Sequence, residues 1–374
     1  MIPIDTVLIK VASRCNINCS YCYVYNMGDS GWAAMPKRIS HETTLAVALA
    51  LRDLSSAQQR PFAVTLHGGE PLLLGHAGLA RLLETLRENL PLDYSVSIQT
   101  NGMLITDRIL DICSEYRTTV SVSIDGPASV HDRSRVGHQG EPTHGQVIRG
   151  IGRLRDHPDS EFLYSGLLAV IDPRSDPQYV YEFLKGLGAR SIDFLCRDGN
   201  HSRLPPGKAS IESTEFGSWL AVLLDLYLAD PRPPRVRLLD DILKLILGGR
   251  GAKEGIGITD FGILIIDTDG SVTKNDTLKS AFDGADRFEQ PWSVHTHRLP
   301  EIVGSVDFAR YHALQRATAS DCHSCPEFHV CGGGMPLHRW RDDNGFDNPS
   351  VYCADQILLI NHARNRLNEF RISA

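Results

Sequence analysis

Apolar, β-branched runs alternate with segments of helical period through the first 200 residues of the chain. Short runs rich in Val, Ile, Leu, Phe or Tyr predict strands at 7–12, 62–66, 94–99, 119–124, 163–171 and 191–195. Apolar positions recurring every three to four residues predict helices near 41–55, 76–89, 105–116, 144–155 and 178–187. Six βα repeats with short links imply a parallel sheet with right-handed crossovers, and strands this apolar are expected to be buried on both faces. A curved, partly closed (β/α)6 barrel and an open doubly wound sheet both satisfy the pattern.

The pattern changes after residue 196. A polar stretch bearing Pro and Gly, 197–208, reads as a loop, and helical periods follow at 213–229 and 236–248. The run FGILIIDTDGSVTKND, 261–276, reads as a β-hairpin turning at Asp-Gly. Its edge would suit an extended peptide added as a further strand. The segment 321–353 is rich in cysteine and has little regular pattern, so ligation is expected to staple it, and a closing helix is predicted over 352–369.

Charge narrows the function classes. The net charge of -7, from 38 basic and 45 acidic residues, weighs against a binder of nucleic-acid phosphates. No window approaches 18 uninterrupted apolar residues, so a membrane partner is not expected. The opening MIPIDTVLIKVASRC lacks the pattern of a secretory signal, which gives a cytoplasmic expectation.

The nine cysteines fall into two groups, 15, 19 and 22, then 322, 325, 331 and 353, with Cys113 and Cys196 alone. Tight groups in a chain without an export signal read as metal or cluster ligands. Cys15, Cys19 and Cys22 directly follow the first predicted strand, where βα folds place their chemistry. Three thiolates leave one iron of a [4Fe–4S] cube open, whereas a zinc site would need a remote fourth ligand. Cys322, Cys325, Cys331 and Cys353 close a site completely, and zinc remains open there on spacing alone.

C-x3-C-x2-C with Tyr21 before its last cysteine resembles the signature of radical S-adenosylmethionine (SAM) enzymes. Matching stations recur at later strand ends: His67-Gly68-Gly69-Glu70-Pro71, Gln99-Thr100-Asn101-Gly102, and Ser123-Ile124-Asp125-Gly126-Pro127. The resemblance implies a [4Fe–4S] cluster on the first three cysteines, with SAM on its open iron. It implies further that Gly68, Gly69 and Glu70 meet the SAM ammonium, with Gln99 and Asn101 close to the ligand or substrate. Ser123 and Asp125 would serve the ribose, Arg135 (with Arg133 as rival) the carboxylate, and backbone at Leu168 the adenine. Taken singly, a tight glycine turn, an Asn-Gly turn, an Asx turn, a solvated arginine and a core leucine explain the same residues.

The later cysteines resemble the second auxiliary [4Fe–4S] cluster of the SPASM extension on peptide-modifying radical SAM enzymes. Two positions depart from that pattern: Met335 and Asn275 stand where cysteines of another auxiliary cluster are expected. One auxiliary cluster is therefore expected. In sulfatase-maturating relatives an aspartate at the position of Asp276 accepts a proton, which makes Asp276 the candidate base; a solvated hairpin aspartate is the alternative. The loop residues Asp198, Asn200 and His201 read either as substrate-facing or as ordinary loop polarity.

The implied fold is α/β, a partial (β/α)6 radical SAM barrel over 1–230 with a C-terminal cysteine-rich SPASM/twitch-like extension over 231–374, including hairpin 263–274. The hairpin and the GFDNPSVYC run most resemble maturases that form three-residue cyclophanes in ribosomally synthesised precursor peptides. Such an enzyme removes a β-hydrogen from the peptide and joins that carbon to an aromatic ring, with an external electron donor of flavodoxin or ferredoxin type. Sulfatase maturation, thioether formation and epimerisation use similar parts, and a zinc-stapled binding protein is the non-enzyme alternative.

Overall fold

The structure, a computed structural model, describes residues 1–373. Strands β1 (Thr6–Ala12), β2 (Ala63–Gly68), β3 (Val96–Thr100), β4 (Thr118–Ser123), β5 (Tyr164–Val170) and β6 (Ser191–Leu195) fall within two residues of the predicted runs. Helices α1 (His41–Gln58), α2 (Gly75–Asn89), α3 (Asp107–Glu115), α4 (His144–Asp156) and α5 (Pro177–Gly186) alternate with them. Their starts follow from local chemistry. The Ser40 hydroxyl accepts from Thr43 N–H, and the Asp176 carboxylate accepts from Gln178 and Tyr179 N–H ahead of Pro177 at the first helical position. Two-residue strands β7 (Arg235–Val236) and, later, β10 (Trp292–Ser293) are too short to show any period in sequence. Helices α6 (Glu215–Ala229), α7 (Arg237–Ile246) and α8 (Cys353–Ser373) complete the larger elements, with β8 (Ile263–Ile266) and β9 (Ser271–Thr273) forming the hairpin.

The chain forms two compact units, each discontinuous in sequence. The first comprises 1–124, 131–167 and 262–312; the second comprises 125–130, 168–261 and 313–374. In the first, β1 to β4 pair in parallel in sequence order, so β1 has β2 on one side. On its other side β8 pairs with it in parallel, Thr6 opposite Ile263 through Ile9 opposite Ile266. The hairpin thus offers no free edge for a peptide, contrary to the expectation: β8 is taken by β1, and β9 by β8 and β10.

Burial differs from the expectation in a way that shapes the site. β8 is buried at every position, whereas β2, β3 and β4 alternate between buried and half-buried residues. Val64, Leu66, Ile98, Val120 and Val122 form the apolar face. Thr65, His67, Ser97, Gln99, Ser121 and Ser123 take the opposite face, and polar side chains pair across strands there. Thr65 and Ser97 hydroxyls stand 3.1 Å apart, and Gln99 Nε2 donates to Ser123 Oγ at 2.9 Å. The sheet therefore carries a polar floor at the stations flagged in sequence.

The second unit packs α8 against α6 and places β6 beside β7, Ser191 opposite Arg235. The cysteine-rich segment, unpatterned in sequence, is built from one-turn helices at Ser320–His323 and Phe328–Cys331 and a 3-10 turn at Pro336–Arg339. No helix among the described residues is long and apolar enough to cross a membrane.

Candidate active site

The loop after β1 holds Cys15, Cys19 and Cys22, and backbone hydrogen bonds pin it in place. Asn18 N–H donates to Val136 O at 2.8 Å, Ser20 N–H to Ser134 O at 2.9 Å, and Cys22 N–H to Cys19 O at 3.0 Å. Arg135 is buried and donates to the Tyr21 hydroxyl at 2.7 Å, whereas Arg133 is exposed. Burial pushes the Cys15 thiol up to about 12 and the Cys22 thiol up to about 11. Thiols so placed become thiolates when a metal centre takes the proton's place. Among the described residues no three His, Cys, Asp or Glu side chains, these cysteines included, converge on a single common ion. Three thiols carried on one short loop fit, in donor chemistry, a cluster with one iron left for a small molecule.

Gly68 and Gly69 close the β1–β2 end for a reason internal to the chain. A Cβ on Gly68 would stand 2.0 Å from Ala12 O, and one on Gly69 would stand 2.3 Å from Arg14 O and 2.1 Å from the Tyr25 hydroxyl. Gly68 also has φ +143°, in the region L side chains rarely adopt. Gly69→Ala is expected to cost about 3 kcal/mol, because a backbone carbonyl must move rather than a flexible side chain. Chemical denaturation checks this, and a loss under about 1 kcal/mol would show that the loop yields.

Glu70 is fully buried, and its carboxylate ties two stations together. Oε1 accepts from Leu72 N–H at 2.9 Å and from the Thr100 hydroxyl at 2.7 Å, while Oε2 accepts from Asn101 N–H at 2.8 Å. Burial raises its pKa, and these three donors oppose the rise. Asn101 carries the link onward. Its Nδ2 donates to Asn16 Oδ1 at 2.8 Å and stands 3.8 Å from Cys15 Sγ. The structure thus joins Glu70, Asn101 and Cys15 in one network and Gln99 with Ser123 in another. Asp125 and Leu168 belong to the second unit, where Asp125 Oδ1 accepts from Val170 N–H at 3.1 Å.

Asp276 is buried and anchored by a residue the sequence reading passed over. Lys10 Nζ stands 2.7 Å from Asp276 Oδ1 and 3.2 Å from Asp267 Oδ2, all three side chains being buried. Burial opposes the charge of Lys10, but attraction and hydrogen bonds from Asp276 and Asp267 outweigh it and raise the pKa above the ordinary lysine value. The signal was available: Lys10 is the lone charge in the apolar run VLIKVA, and a buried charge must find partners. Asp276 Oδ2 has no hydrogen-bond partner. Beside the triad lies a cavity of about 410 Å3 lined by Lys10, Asp267, Gly68, Gly69, Trp32 and Phe288 among others.

In the second unit Cys322 and Cys331 are buried, Cys325 and Cys353 half-buried, and none is in a disulfide. Gly332, Gly333 and Gly334 follow with φ of 69°, 84° and 72°. A Cβ on Gly332 would lie 1.9 Å from Gly257 O, so only glycine lets the chain pass. Cys331 Sγ donates to Gln356 Oε1 at 2.8 Å, and burial pushes this thiol up to about 12. Four thiols on short turns fit a fully ligated cluster in donor chemistry. The two departures from the resemblance have other work. Met335 Cγ would stand 2.6 Å from a Cβ on Gly255, so the thioether fills space over a glycine. Asn275 Oδ1 accepts from Thr277 N–H at 3.0 Å, capping the turn that bears Asp276. Asp198 stands 3.9 Å from His338, and buried Asn200 accepts from its own loop at Ser202 and Arg203 N–H.

Residues 9–174 match the model of the radical SAM superfamily. The cysteine-type anaerobic sulfatase-maturating enzyme of Clostridium perfringens is 23% identical over 375 residues, covering 98% of both chains. Among solved structures, native anSMEcpe with bound AdoMet superposes with a TM-score of 0.83 at 21% identity, covering 98% of each chain. Streptococcus suis SuiB bound to precursor peptide SuiA superposes with a TM-score of 0.65 at 13% identity, covering 94% of this chain and 76% of that one.

Proposed function

We propose, from the match of residues 9–174 to the radical SAM superfamily model, that the chain is an enzyme that modifies a ribosomally made precursor peptide, joining a β-carbon to an aromatic ring. Cys15, Cys19 and Cys22 would hold a [4Fe–4S] cluster, and Cys322, Cys325, Cys331 and Cys353 a second, one-electron-accepting cluster. When bound, the first cluster and SAM supply the oxidising power to take hydrogen from an unactivated carbon. Around them Tyr21, Gly68, Gly69, Glu70, Gln99, Asn101, Ser123, Asp125, Arg135 and Leu168 would form the SAM surroundings. A single-electron donor of flavodoxin or ferredoxin type would serve the enzyme.

Asp276 carries the proposal for the last step. Linking a β-carbon to a ring removes two hydrogens overall, one from the carbon and one, as a proton plus an electron, from the ring. Asp276 would take that proton on Oδ2, the oxygen that no group occupies. Lys10 holds the other oxygen at 2.7 Å and so fixes the orientation of the carboxylate. Asp276→Asn keeps an oxygen for Lys10 and loses the base. It is expected to release nucleoside from SAM as before while linked peptide falls about 100-fold or more. Unchanged peptide yield would remove Asp276 from the step.

Full-length likeness to a sulfatase-maturating enzyme supports a second reading, oxidation of Cys or Ser to formylglycine. Co-expression with a short neighbouring reading frame, followed by fragmentation mass spectrometry, separates the two. Loss of two hydrogens with a β-carbon-to-ring link supports the crosslink. An aldehyde captured by a hydrazide reagent assigns the second reading, since serine oxidation also removes two hydrogens.

A further inference from the structure

Residues 131–144 of the first unit lie against the loop that bears Cys15, Cys19 and Cys22 and grip it at four places. Val136 O and Ser134 O accept from Asn18 and Ser20 N–H, and Arg135 donates to the Tyr21 hydroxyl. Exposed His138 donates from Nε2 to Cys15 O at 3.0 Å. Such a grip is firm only where the gripping segment is itself fixed. Thr143 occupies the N-cap position of α4, yet its hydroxyl caps nothing there. The Asp132 carboxylate does that work instead, its Oδ1 accepting from Thr143 N–H at 2.9 Å and from His144 N–H at 3.0 Å. The freed hydroxyl turns into the 131–144 loop. It donates to Arg135 O and, having one proton to give, accepts from His131 Nε2 at 3.1 Å. His131 and Thr143 are 0% and 1% exposed, so water has no access to replace either bond.

We propose that Thr143 is a positioning residue for the first centre. Through Arg135 O and His131, its hydroxyl locks residues 131–144 as a clamp that holds the cysteine loop in one conformation before any cluster binds. This rests on the reading of Cys15, Cys19 and Cys22 as cluster ligands. The physical reason is preorganisation. Thiols on a mobile loop are gathered at a cost in conformational entropy when iron arrives, whereas a loop already fixed has met that cost in folding. The same lock fixes the backbone of Arg135, whose side chain is the group proposed to lie beside SAM. Thr143 is not itself a ligand and acts through its two hydrogen-bond partners.

The test follows amide hydrogen exchange, residue by residue, in the metal-free full chain, with the amides of β1 to β4 as the reference for the fold. In the parent, Asn18 and Ser20 N–H are expected to exchange at least about 100-fold more slowly than in an unstructured peptide. Thr143→Val keeps the shape and removes the hydroxyl. It is expected to speed exchange at both amides about 10-fold or more while the reference stays unchanged. Thr143→Ser keeps the hydroxyl and is expected to restore the parent's protection. After reconstitution with iron and sulfide, Thr143→Val is expected to raise KM for SAM about 10-fold and to leave kcat within about twofold of the parent. Parent-like protection in Thr143→Val overturns the proposal. A Thr143→Ser chain as loose as Thr143→Val assigns the position to packing of the methyl group and overturns it as well. Should Thr143→Val fail to fold, the metal-free parent and Thr143→Ser decide, because unprotected Asn18 and Ser20 amides in either refute the clamp. A parent that takes zinc instead of iron on the first loop refutes the cluster reading and the role built on it. Iron bound in a parent whose two amides are unprotected without metal refutes only the clamp.

Discussion

Replacing Cys15, Cys19 and Cys22 together by Ala is expected to abolish SAM cleavage and to cut bound iron from about eight to about four per chain. The size of the effect follows from what these residues supply. No acid or base side chain can remove hydrogen from an unactivated carbon, so without the cofactor the reaction has no substitute path. The second cysteine group should be unaffected, because its thiols lie on other turns of the other unit. Anaerobic reconstitution with iron and sulfide, iron analysis and an assay for nucleoside released from SAM check the prediction. Retained cleavage would place the SAM chemistry elsewhere. Zinc instead of iron in the intact protein would turn the first loop into a staple.

Glu70→Gln is expected to destabilise the fold by about 2–3 kcal/mol although it removes no atom from the core. Both carboxylate oxygens face a backbone N–H, that of Leu72 at Oε1 and that of Asn101 at Oε2. A glutamine has one oxygen and one NH2, so either orientation sets a donor against a donor. The Thr100 hydroxyl can turn to accept, but an N–H cannot. Because Asn101 also reaches Asn16 and Cys15, loosening this anchor should lower SAM affinity as well as the unfolding midpoint. Denaturant titration and SAM binding check both effects. A variant as stable as the parent would mean that the pocket relaxes around the amide.

The alternating strands and helices of the first 200 residues were legible in the chain because their signals are local. Each strand from β1 to β6 is an apolar run bounded by turn residues, and Ser40 and Asp176 announce the helices they cap. The cysteines of both groups were legible from spacing. What stayed hidden depends on contacts between distant residues. Lys10 meets Asp267 across 257 positions, and nothing near either residue names the other. Glu70 looked like a group facing a ligand, yet its carboxylate is occupied by Leu72, Thr100 and Asn101. The hairpin looked like an open edge because the partner of β8 is β1, at the opposite end of the chain. The polar floor was missed for a different reason. Small hydroxyl residues such as Ser97 and Thr119 sit comfortably in β-branched runs, and only their register across strands reveals a face.

The pairing of β1 with β8 has a consequence for how the protein is made. During synthesis β1 leaves the ribosome first, while the strand that covers its second edge follows about 250 residues later, a delay of roughly 10–50 s at ordinary elongation rates. Throughout that interval an apolar strand has one side unpaired, and such a strand invites pairing with any neighbouring chain. A nascent chain stalled near residue 230 would carry its cysteine loop on a strand still lacking a flank. Slow translation between residues 230 and 263 should therefore raise the demand for chaperones, and an N-terminal fragment ending there should aggregate where the whole chain does not.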